Sequence, residues 1–169
     1  ELTDLYTRTQ NALDIDLPFP HNQSELFYNS TTKTYDYYVY GNPHIDPLDG
    51  NKVTSFKNVL LQSCDYVVYD TGGYLKYYVV TNDSAAEQKR EHDDYWEALP
   101  DMKFYADESD GSGYYITNGK AIKVTWTKDS ETDITVYRSV ETGEVIQLNT
   151  GKTYIAIVPA DAWTNLTLK

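Results

Sequence analysis

His44 begins the densest group of side chains suited to metal binding, because Asp46 and Asp49 follow it within six residues. One ring nitrogen and two carboxylates are donors that a hard or borderline cation accepts. The surrounding stretch, residues 41–51, is also rich in turn-forming residues, in which Asp side chains accept hydrogen bonds from nearby backbone N–H groups. We therefore favour Asx-type turns at Asp46 and Asp49 with His44 packed over them, and we assign no metal site.

The other two histidines and the acidic loops complete no familiar catalytic or calcium motif. His21 and His92 stand outside the H-E-x-x-H pattern of zinc peptidases. Residues 46–51 and 107–111 have part of the acid spacing of a calcium loop. An EF-hand, however, places its first ligand where both of these loops have an apolar residue. Both loops are weak candidates for calcium.

The carboxylates and the single thiol also argue against catalysis. The sequence holds 26 Asp and Glu residues, but a glycosidase needs two carboxyl groups at a defined separation, and no motif selects such a pair. Cys64 is the only cysteine, so it excludes an intrachain disulfide and a zinc site built on several cysteines. In an apolar run it is expected to be a small buried hydrophobic side chain. We assign no catalytic residue and no cofactor, and we lean against an enzyme.

Charge and aromatic content narrow the classes of partner. The formal net charge of −12 repels phosphate backbones and anionic lipid headgroups, so nucleic acid and electrostatic adhesion to a membrane are not expected. Tyrosine is the outlier in composition, with 17 residues against 4 Phe and 3 Trp. Because Tyr suits half-buried strands, the first interpretation is a Tyr-rich antiparallel sheet. The alternative is an aromatic platform for a sugar or peptide.

The clearest structural signal is a β-hairpin centred on Asn118 and Gly119. Asn-Gly between two apolar-alternating runs predicts a type I′ turn, which needs positive φ at both central residues. After the turn, Ile122, Val124 and Trp126 alternate with polar residues, the pattern of a half-buried strand. Trp126 is therefore expected in the core.

The remaining pattern predicts strands joined by turns, with two helices. Apolar spacing within residues 2–13 predicts a short helix, and the prolines that follow make residues 14–24 a linker. Ser84 and Glu87 form a capping box for a mostly charged surface helix that ends at Leu99. Strands are predicted over residues 26–28, 34–40, 57–69, 74–80, 134–137, 145–148 and 154–159, the last of them apolar on both faces and therefore central in its sheet.

Several of these segments together resemble the C-terminal domain of the YerB-like bacterial lipoproteins, a family of unknown function. The resemblance covers residues 26–159 in the same order and with compatible spacing. It rests on residues 41–46 (Gly-Asn-Pro-His-Ile-Asp), 57–62, 113–115 (Gly-Tyr-Tyr), 118–121 (Asn-Gly-Lys-Ala), 126–128 (Trp-Thr-Lys) and 148–159.

The resemblance implies a domain organisation and an address. Residues 26–169 correspond to the β-rich domain, and residues 81–108 look like a helical insertion into it. Residues 1–25 have no clear counterpart and are expected to be an N-terminal arm or the tail of an upstream domain. The chain starts with Glu1 and shows neither a signal peptide nor 18 consecutive apolar residues. We therefore expect a processed or truncated piece of a protein that is lipid-anchored outside a Gram-positive cell.

The candidate binding surface is where the family-like segments are expected to converge. Its residues are His44, Asp46, Asn118, Lys120, Trp126 and Lys128. Each also has a structural explanation: Asn118 suits its turn, Trp126 faces the core by strand parity, and Lys128 lies just past the strand end. The binding hypothesis depends on all six occurring together.

The sequence thus predicts an α+β fold, mainly antiparallel sheet with hairpins, one inserted surface helix and a short N-terminal helical arm. The favoured function is a non-catalytic extracytoplasmic binding or interaction domain of a cell-envelope lipoprotein. Its expected partners are its own N-terminal domain, another envelope protein or a cell-wall polymer. The alternative is a carbohydrate-binding module that uses exposed tyrosines, which requires three or more Tyr rings on one exposed sheet face.

Overall fold

Short alternating segments make strands the main regular element of this chain. The structure, a computed structural model, describes residues 2–19, 23–69, 75–78, 102–105, 111–129 and 132–169. Within these residues, helix is limited to α1, Leu2–Leu5, and two 3-10 turns, Pro47–Asp49 and Ala160–Asn165. No described helix is long and apolar enough to span a membrane.

The strands are β1 Gln10–Asn11, β2 Asp14–Asp16, β3 Ser24–Asn29, β4 Thr34–Val39, β5 Asn42–Pro43, β6 Ile45–Asp46, β7 Lys52–Val53, β8 Ser55–Phe56, β9 Asn58–Cys64, β10 Tyr66–Tyr69, β11 Leu75–Tyr78, β12 Met102–Tyr105, β13 Ser112–Thr117, β14 Lys120–Thr127, β15 Val136–Ser139, β16 Thr153–Pro159 and β17 Thr167–Leu168.

Two six-stranded sheets account for most of the described structure. The main sheet has the order β1-β14-β13-β9-β16, and β15 also pairs with β14. The second sheet has the order β17-β2-β3-β4-β5, and β8 also pairs with β4. One smaller sheet pairs β6 with β7, and another has the order β11-β10-β12. All described pairs are antiparallel except β9 with β16, which confirms the prediction of a mainly antiparallel fold.

The predicted Asn-Gly hairpin is confirmed. Asn118 and Gly119 have φ of 51° and 75°, and they join β13 to β14 with Thr117 opposite Lys120. Trp126 is 1% exposed and shares the buried face of β14 with Ile122 and Val124. The Trp126 indole N–H donates to the Ser63 carbonyl at 2.9 Å, so burial leaves this donor satisfied.

The tip of this hairpin joins the two sheets through one buried hydroxyl. The Gly119 N–H donates to the Tyr35 hydroxyl oxygen at 2.9 Å, and that hydroxyl donates to the Ala12 carbonyl at 2.9 Å. The Ala12 N–H returns a bond to the Gly119 carbonyl at 3.0 Å. Tyr35 lies on β4 of the second sheet and is fully buried, and burial raises the pKa of its hydroxyl. The hydroxyl therefore stays protonated and bridges the sheets.

The N-terminal predictions are wrong in two respects. The helix predicted over residues 2–13 is a single turn, and Gln10–Asn11 is a strand paired with β14. Residues 14–24 are not a linker, because β2 pairs with both β3 and β17. Ile15 and Leu17 are buried and alternate with acidic residues, which is the pattern of a strand. The pattern is short and two prolines follow it, so the sequence alone did not identify the strand.

Three strand predictions also change. The strand predicted over residues 145–148 is reduced to a single antiparallel bridge between Val145 and Arg138. The strand predicted over residues 57–69 is divided at Asp65 into β9 and β10, which belong to different sheets. The strand at residues 153–159 is not central, because β16 ends the described order of the main sheet and Ile155 on it is 53% exposed. An interior position belongs to β9, which pairs with both β13 and β16 and is buried along its whole length. Apolar side chains alone did not distinguish these two strands.

Part of the predicted organisation stays a prediction. The capped helix over residues 84–99 lies outside the described residues, and of the proposed insertion 81–108 only β12 is described, as a strand paired with β10. The α+β class and the division into residues 1–25 and 26–169 are likewise untested. Strand β2 lies within residues 1–25, and it pairs with β3, most of which lies within residues 26–169.

Replacing Tyr35 with Phe is expected to lower the free energy of unfolding by about 1–3 kcal/mol, because it leaves a buried N–H and a buried carbonyl without partners. Urea denaturation measures the change. Tyr38→Phe is the control on the same strand, because it removes a hydroxyl from a half-buried ring that packs edge-on against Phe27. Equal effects of the two substitutions would contradict a bridging role for the Tyr35 hydroxyl.

Two glycines with the same backbone conformation separate backbone strain from steric overlap. Gly119 and Gly143 have φ of 75° and 74°, but a Cβ on Gly119 would lie 3.0 Å from Leu13 and 3.1 Å from Tyr28, whereas one on Gly143 meets nothing within 4 Å. Gly143→Ala should destabilise by about 1–2 kcal/mol through the left-handed conformation alone. Gly119→Ala should cost a further 1–3 kcal/mol, roughly, from overpacking. Equal losses in thermal or urea unfolding would show that the hairpin tip is not tightly enclosed.

Candidate functional site

His44 and Asp46 occupy a loop whose polar atoms are used in local structure. His44 is exposed, and its Nδ1 lies 2.8 Å from the Thr54 hydroxyl oxygen. The Asp46 carboxylate accepts the Leu48 N–H at 2.9 Å, which confirms the Asx-type turn. Asp49 differs from the prediction, since it forms an ion pair with Lys52 at 3.2 Å. Across the described parts of the chain, no three His, Cys, Asp or Glu side chains are grouped so that they could hold a metal ion.

Asn118 and Lys120 lie at the hairpin tip, where both make structural hydrogen bonds. The Lys57 ammonium donates to Asn118 Oδ1 at 2.6 Å and also to the Lys33 carbonyl at 3.0 Å. The Lys120 ammonium donates to Asn11 Oδ1 at 2.7 Å. Side-chain bonds in this region therefore connect the hairpin to β1 and to the loop between β3 and β4.

Trp126 and Lys128 lie at the opposite end of β14. Six positions along β14 separate Lys120 from Trp126, so the extended strand places them about 20 Å apart. The indole is buried and has no free face for a ligand, while Lys128 is half-buried beyond the strand. The structure thus does not bring the six predicted residues together, and their expected convergence on one surface is wrong. Whether any of them binds a ligand stays a prediction.

A different group of polar side chains is brought together, around Asn58 at the start of β9. The Tyr115 hydroxyl donates to Asn58 Oδ1 at 3.0 Å, and Asn58 Nδ2 donates to the Asn149 carbonyl at 2.8 Å. The Asn149 backbone N–H donates to Asn58 Oδ1 at 3.1 Å, and Asn149 Nδ2 donates to the Thr117 hydroxyl at 3.0 Å. Asn58, Tyr115 and Thr117 are buried. We call these four residues the Asn58 network.

Strand pairing and one glycine position this network. Thr117 lies opposite Asn58 in the β9–β13 ladder, and Tyr115 is two residues from Thr117 on the same face. Asn149 comes from the loop before β16, which approaches β9 closely at Gly151. A Cβ on Gly151 would lie 2.6 Å from the Lys57 Cβ, so only glycine permits this approach. Buried polar groups that satisfy one another fix their geometry.

An open cleft of about 250 Å³ borders the Asn58 network. Tyr115 and Asn149 belong to both the network and the cleft, which we call the Tyr115 cleft. Helix α1 and the turn after β15 supply its other walls. Its lining residues are Leu2, Leu5, Tyr6, Tyr115, Thr142, Glu144, Val145, Gln147 and Asn149.

The Tyr115 cleft presents mainly neutral hydrogen-bonding groups. Among the described residues that line it, Glu144 is the one charged side chain. Burial raises the pKa of Tyr115, although hydrogen bonds from Asn149 and Thr117 oppose the rise. Burial also raises the pKa of Tyr6, and the charges of Glu144 and Glu141 add to the effect. Both hydroxyls are therefore protonated at neutral pH, which suits recognition by hydrogen bonding rather than proton abstraction.

The segment that follows α1 is bound by Glu141, in an arrangement we call the Glu141 clamp. The Glu141 carboxylate accepts the Thr7 N–H at 3.1 Å, the Thr7 hydroxyl at 2.5 Å and the Arg8 N–H at 3.0 Å. The hydrogen bond from the Thr7 hydroxyl is the main cause that lowers the pKa of Glu141, followed by the bonds from the backbone N–H groups of Arg8 and Thr7. The clamp connects the N-terminal segment to the turn after β15.

Sequence reasoning missed both the network and the clamp. Asn58 and Asn149 are 91 positions apart, and Thr7 and Glu141 are 134 apart, so no local pattern links them. The sole signal available was Tyr115 with Thr117 on the inner face of a strand otherwise apolar there. Polar side chains at buried strand positions need partners, but their spacing does not identify which partners.

The Glu141 clamp predicts a pH dependence of stability. A carboxylate with a lowered pKa in the folded state stabilises the fold fully above its unfolded pKa of about 4.3, and this contribution is lost as pH falls through the folded pKa. The difference in urea midpoint between the wild type and Glu141→Gln should therefore be largest near neutral pH and shrink in acid. Thr7→Val should raise the pKa of Glu141 towards its ordinary value, as measured by NMR titration. A difference in midpoint that is independent of pH would contradict the clamp.

Comparisons with known proteins find one matching family model and one similar crystal structure. A family model described as "Protein of unknown function (DUF3048) C-terminal domain" matches residues 15–155. The crystal structure of the YerB protein from Bacillus subtilis is similar, with a TM-score of 0.61 and 16% sequence identity. The similarity covers 96% of this chain and 45% of that one, so the chain spans less than half of that protein's length. At this identity the likeness shows the fold alone. No curated protein matches the chain.

Proposed function

The chain belongs to the DUF3048 C-terminal domain family, a family of unknown function, and we propose that it is a non-catalytic domain that binds a neutral polar ligand in the Tyr115 cleft. The main support for the proposal is that an open cleft lies against the buried Asn58 network, which fixes the orientation of two residues of the cleft. Tyr115 and Asn149 are fixed by Asn58, while Gln147 and Thr142 are exposed at the rim.

The chemistry of the cleft supports binding rather than reaction. Ligand sites typically combine an apolar wall with a few well-placed polar groups. Here Leu2, Leu5 and Val145 provide the apolar wall, and the side-chain amide of Gln147 provides a donor and an acceptor. A fixed geometry lowers the conformational entropy lost when a ligand binds.

The location and the partners form part of the same proposal. The resemblance to the YerB-like lipoproteins supports a place outside the cell, held to the membrane by a lipid anchor on another part of the protein. The proposed partners are an N-terminal domain of the same protein, another envelope protein or a cell-wall polymer. The α+β class and the helical insertion at 81–108 belong to this proposal too.

The carbohydrate alternative has less support in the described residues. It requires three or more Tyr rings on one exposed sheet face, but Tyr35, Tyr115 and Tyr137 are buried. Tyr37 and Tyr154 are half-buried, with ring centroids 5.4 Å apart. In the Tyr115 cleft, Tyr6 supplies one half-buried ring on which a sugar could stack.

The proposal is tested by NMR titration of the chain with two probes, a cell-wall disaccharide without peptide and a short peptide with blocked, uncharged ends. Binding in the cleft should give saturable shifts of the amides of Gln147 and Asn149. Gln147→Ala should weaken binding roughly tenfold through one lost hydrogen bond. Leu48→Ala, on a loop where Leu48 is 97% exposed, is the control and should bind normally.

The outcomes separate the candidate functions. Peptide binding that depends on Gln147 supports an interaction domain, and disaccharide binding that depends on Gln147 supports the carbohydrate alternative. Binding that survives Gln147→Ala, or no saturable shift with either probe, would rule out the Tyr115 cleft as the site for these ligands.

A further inference from the structure

A second cavity of about 430 Å³ lies beside the Glu141 clamp. Arg8 and Glu141 line it together with residues of β1 and β14 and the end of β15. The lining residues used below are Arg8, Gln10, Ile122, Lys123, Val140 and Glu141. We call this cavity the Arg8 slot.

The Arg8 slot lies where one edge of β14 changes its pairing partner. Strand β1 pairs with Lys120 and Ala121, and β15 pairs with β14 from Val124 to Thr127. Ile122 and Lys123 lie between these two paired stretches. Ile122, which is buried, and Val140, which is 55% exposed, both belong to the lining of the slot.

The charges in the Arg8 slot are not balanced within it. Arg8 and Lys123 are exposed, and neither has an ion pair with any residue in the described part of the chain. Glu141 is the one acid among the described lining residues. Both of its carboxylate oxygens already accept hydrogen bonds, from the backbone N–H groups of Thr7 and Arg8 and from the Thr7 hydroxyl. The charge of Arg8 has only the smallest effect on the Glu141 pKa. Two cations therefore face one cavity in a chain of net charge −12.

We propose that the Arg8 slot binds a small anionic ligand through a carboxylate or phosphate group. Arg8 can meet such a group with two parallel N–H donors, and Lys123 adds a point charge. Gln10 offers an amide, and Ile122 with Val140 accepts an apolar portion of the ligand. The net charge of −12 repels extended polyanions, so the site favours small anions over nucleic acid. This site is separate from the Tyr115 cleft and does not depend on the ligand proposed there.

The test is an NMR titration of the full chain with inorganic phosphate and, separately, with acetate, at constant ionic strength maintained with sodium chloride. We expect saturable shifts of the amides of Arg8, Gln10, Lys123 and Val140. Arg8→Gln and Lys123→Gln should each raise the dissociation constant about 2- to 5-fold, the range for one exposed charge contact. Lys152→Gln removes the same charge from an exposed position before β16 and should leave binding unchanged.

Each outcome decides the proposal. Binding of both probes, or of one, with the expected loss in the slot variants supports it and identifies the preferred anion. Shifts that rise linearly without saturation, that persist in both slot variants, or that fall equally in Lys152→Gln would overturn it, because these results indicate non-specific attraction. Amide spectra of the variants establish that they are folded.

Discussion

The hydroxyl of Tyr35 is the contact on which the relation between the two sheets depends. It accepts from the turn of the β13–β14 hairpin and donates to the segment between β1 and β2. The larger apolar core lies between the same elements, with Ile15, Leu26, Val59 and Ile116 among its fully buried side chains. Hydrophobic burial provides most of the stability, but it is not directional. The hydroxyl fixes which part of one sheet meets which part of the other.

The main sheet has a core on each face, and this explains where the two cavities lie. Along β9, Val59 and Leu61 belong to the core shared with the second sheet, whereas Leu60 and Cys64 belong to a smaller core with Trp126. That smaller core is covered by Leu2 of α1, and the Glu141 clamp holds the same N-terminal segment. Because the cover is short, space is left beside it at the Tyr115 cleft and the Arg8 slot.

Features encoded in neighbouring residues could be predicted from the sequence, and those encoded in distant pairs could not. The Asn118-Gly119 turn and the burial of Trp126 follow from local rules. The Asn58 network depends on strands brought together from across the chain. The linker and helix predicted for the N-terminal residues were wrong because β1 and β2 are stabilised by partners near residues 120 and 168. Cys64 is buried among apolar residues, as its sequence context indicated.

The pairing of the first strands with late parts of the chain has a consequence for how the protein folds. β2 pairs with β17 near the C-terminal end, and β1 pairs with β14 more than a hundred residues away. Contacts between residues so distant in sequence carry a large loop-closure entropy, and chains rich in them fold slowly. During synthesis, β1 lacks its partner β14 until residues 120–121 have been made, and the β2 edge that β17 covers stays open until residues 167–168 have been made. The nascent chain therefore exposes these strand edges until their distant partners have been made, and exposed strand edges favour aggregation.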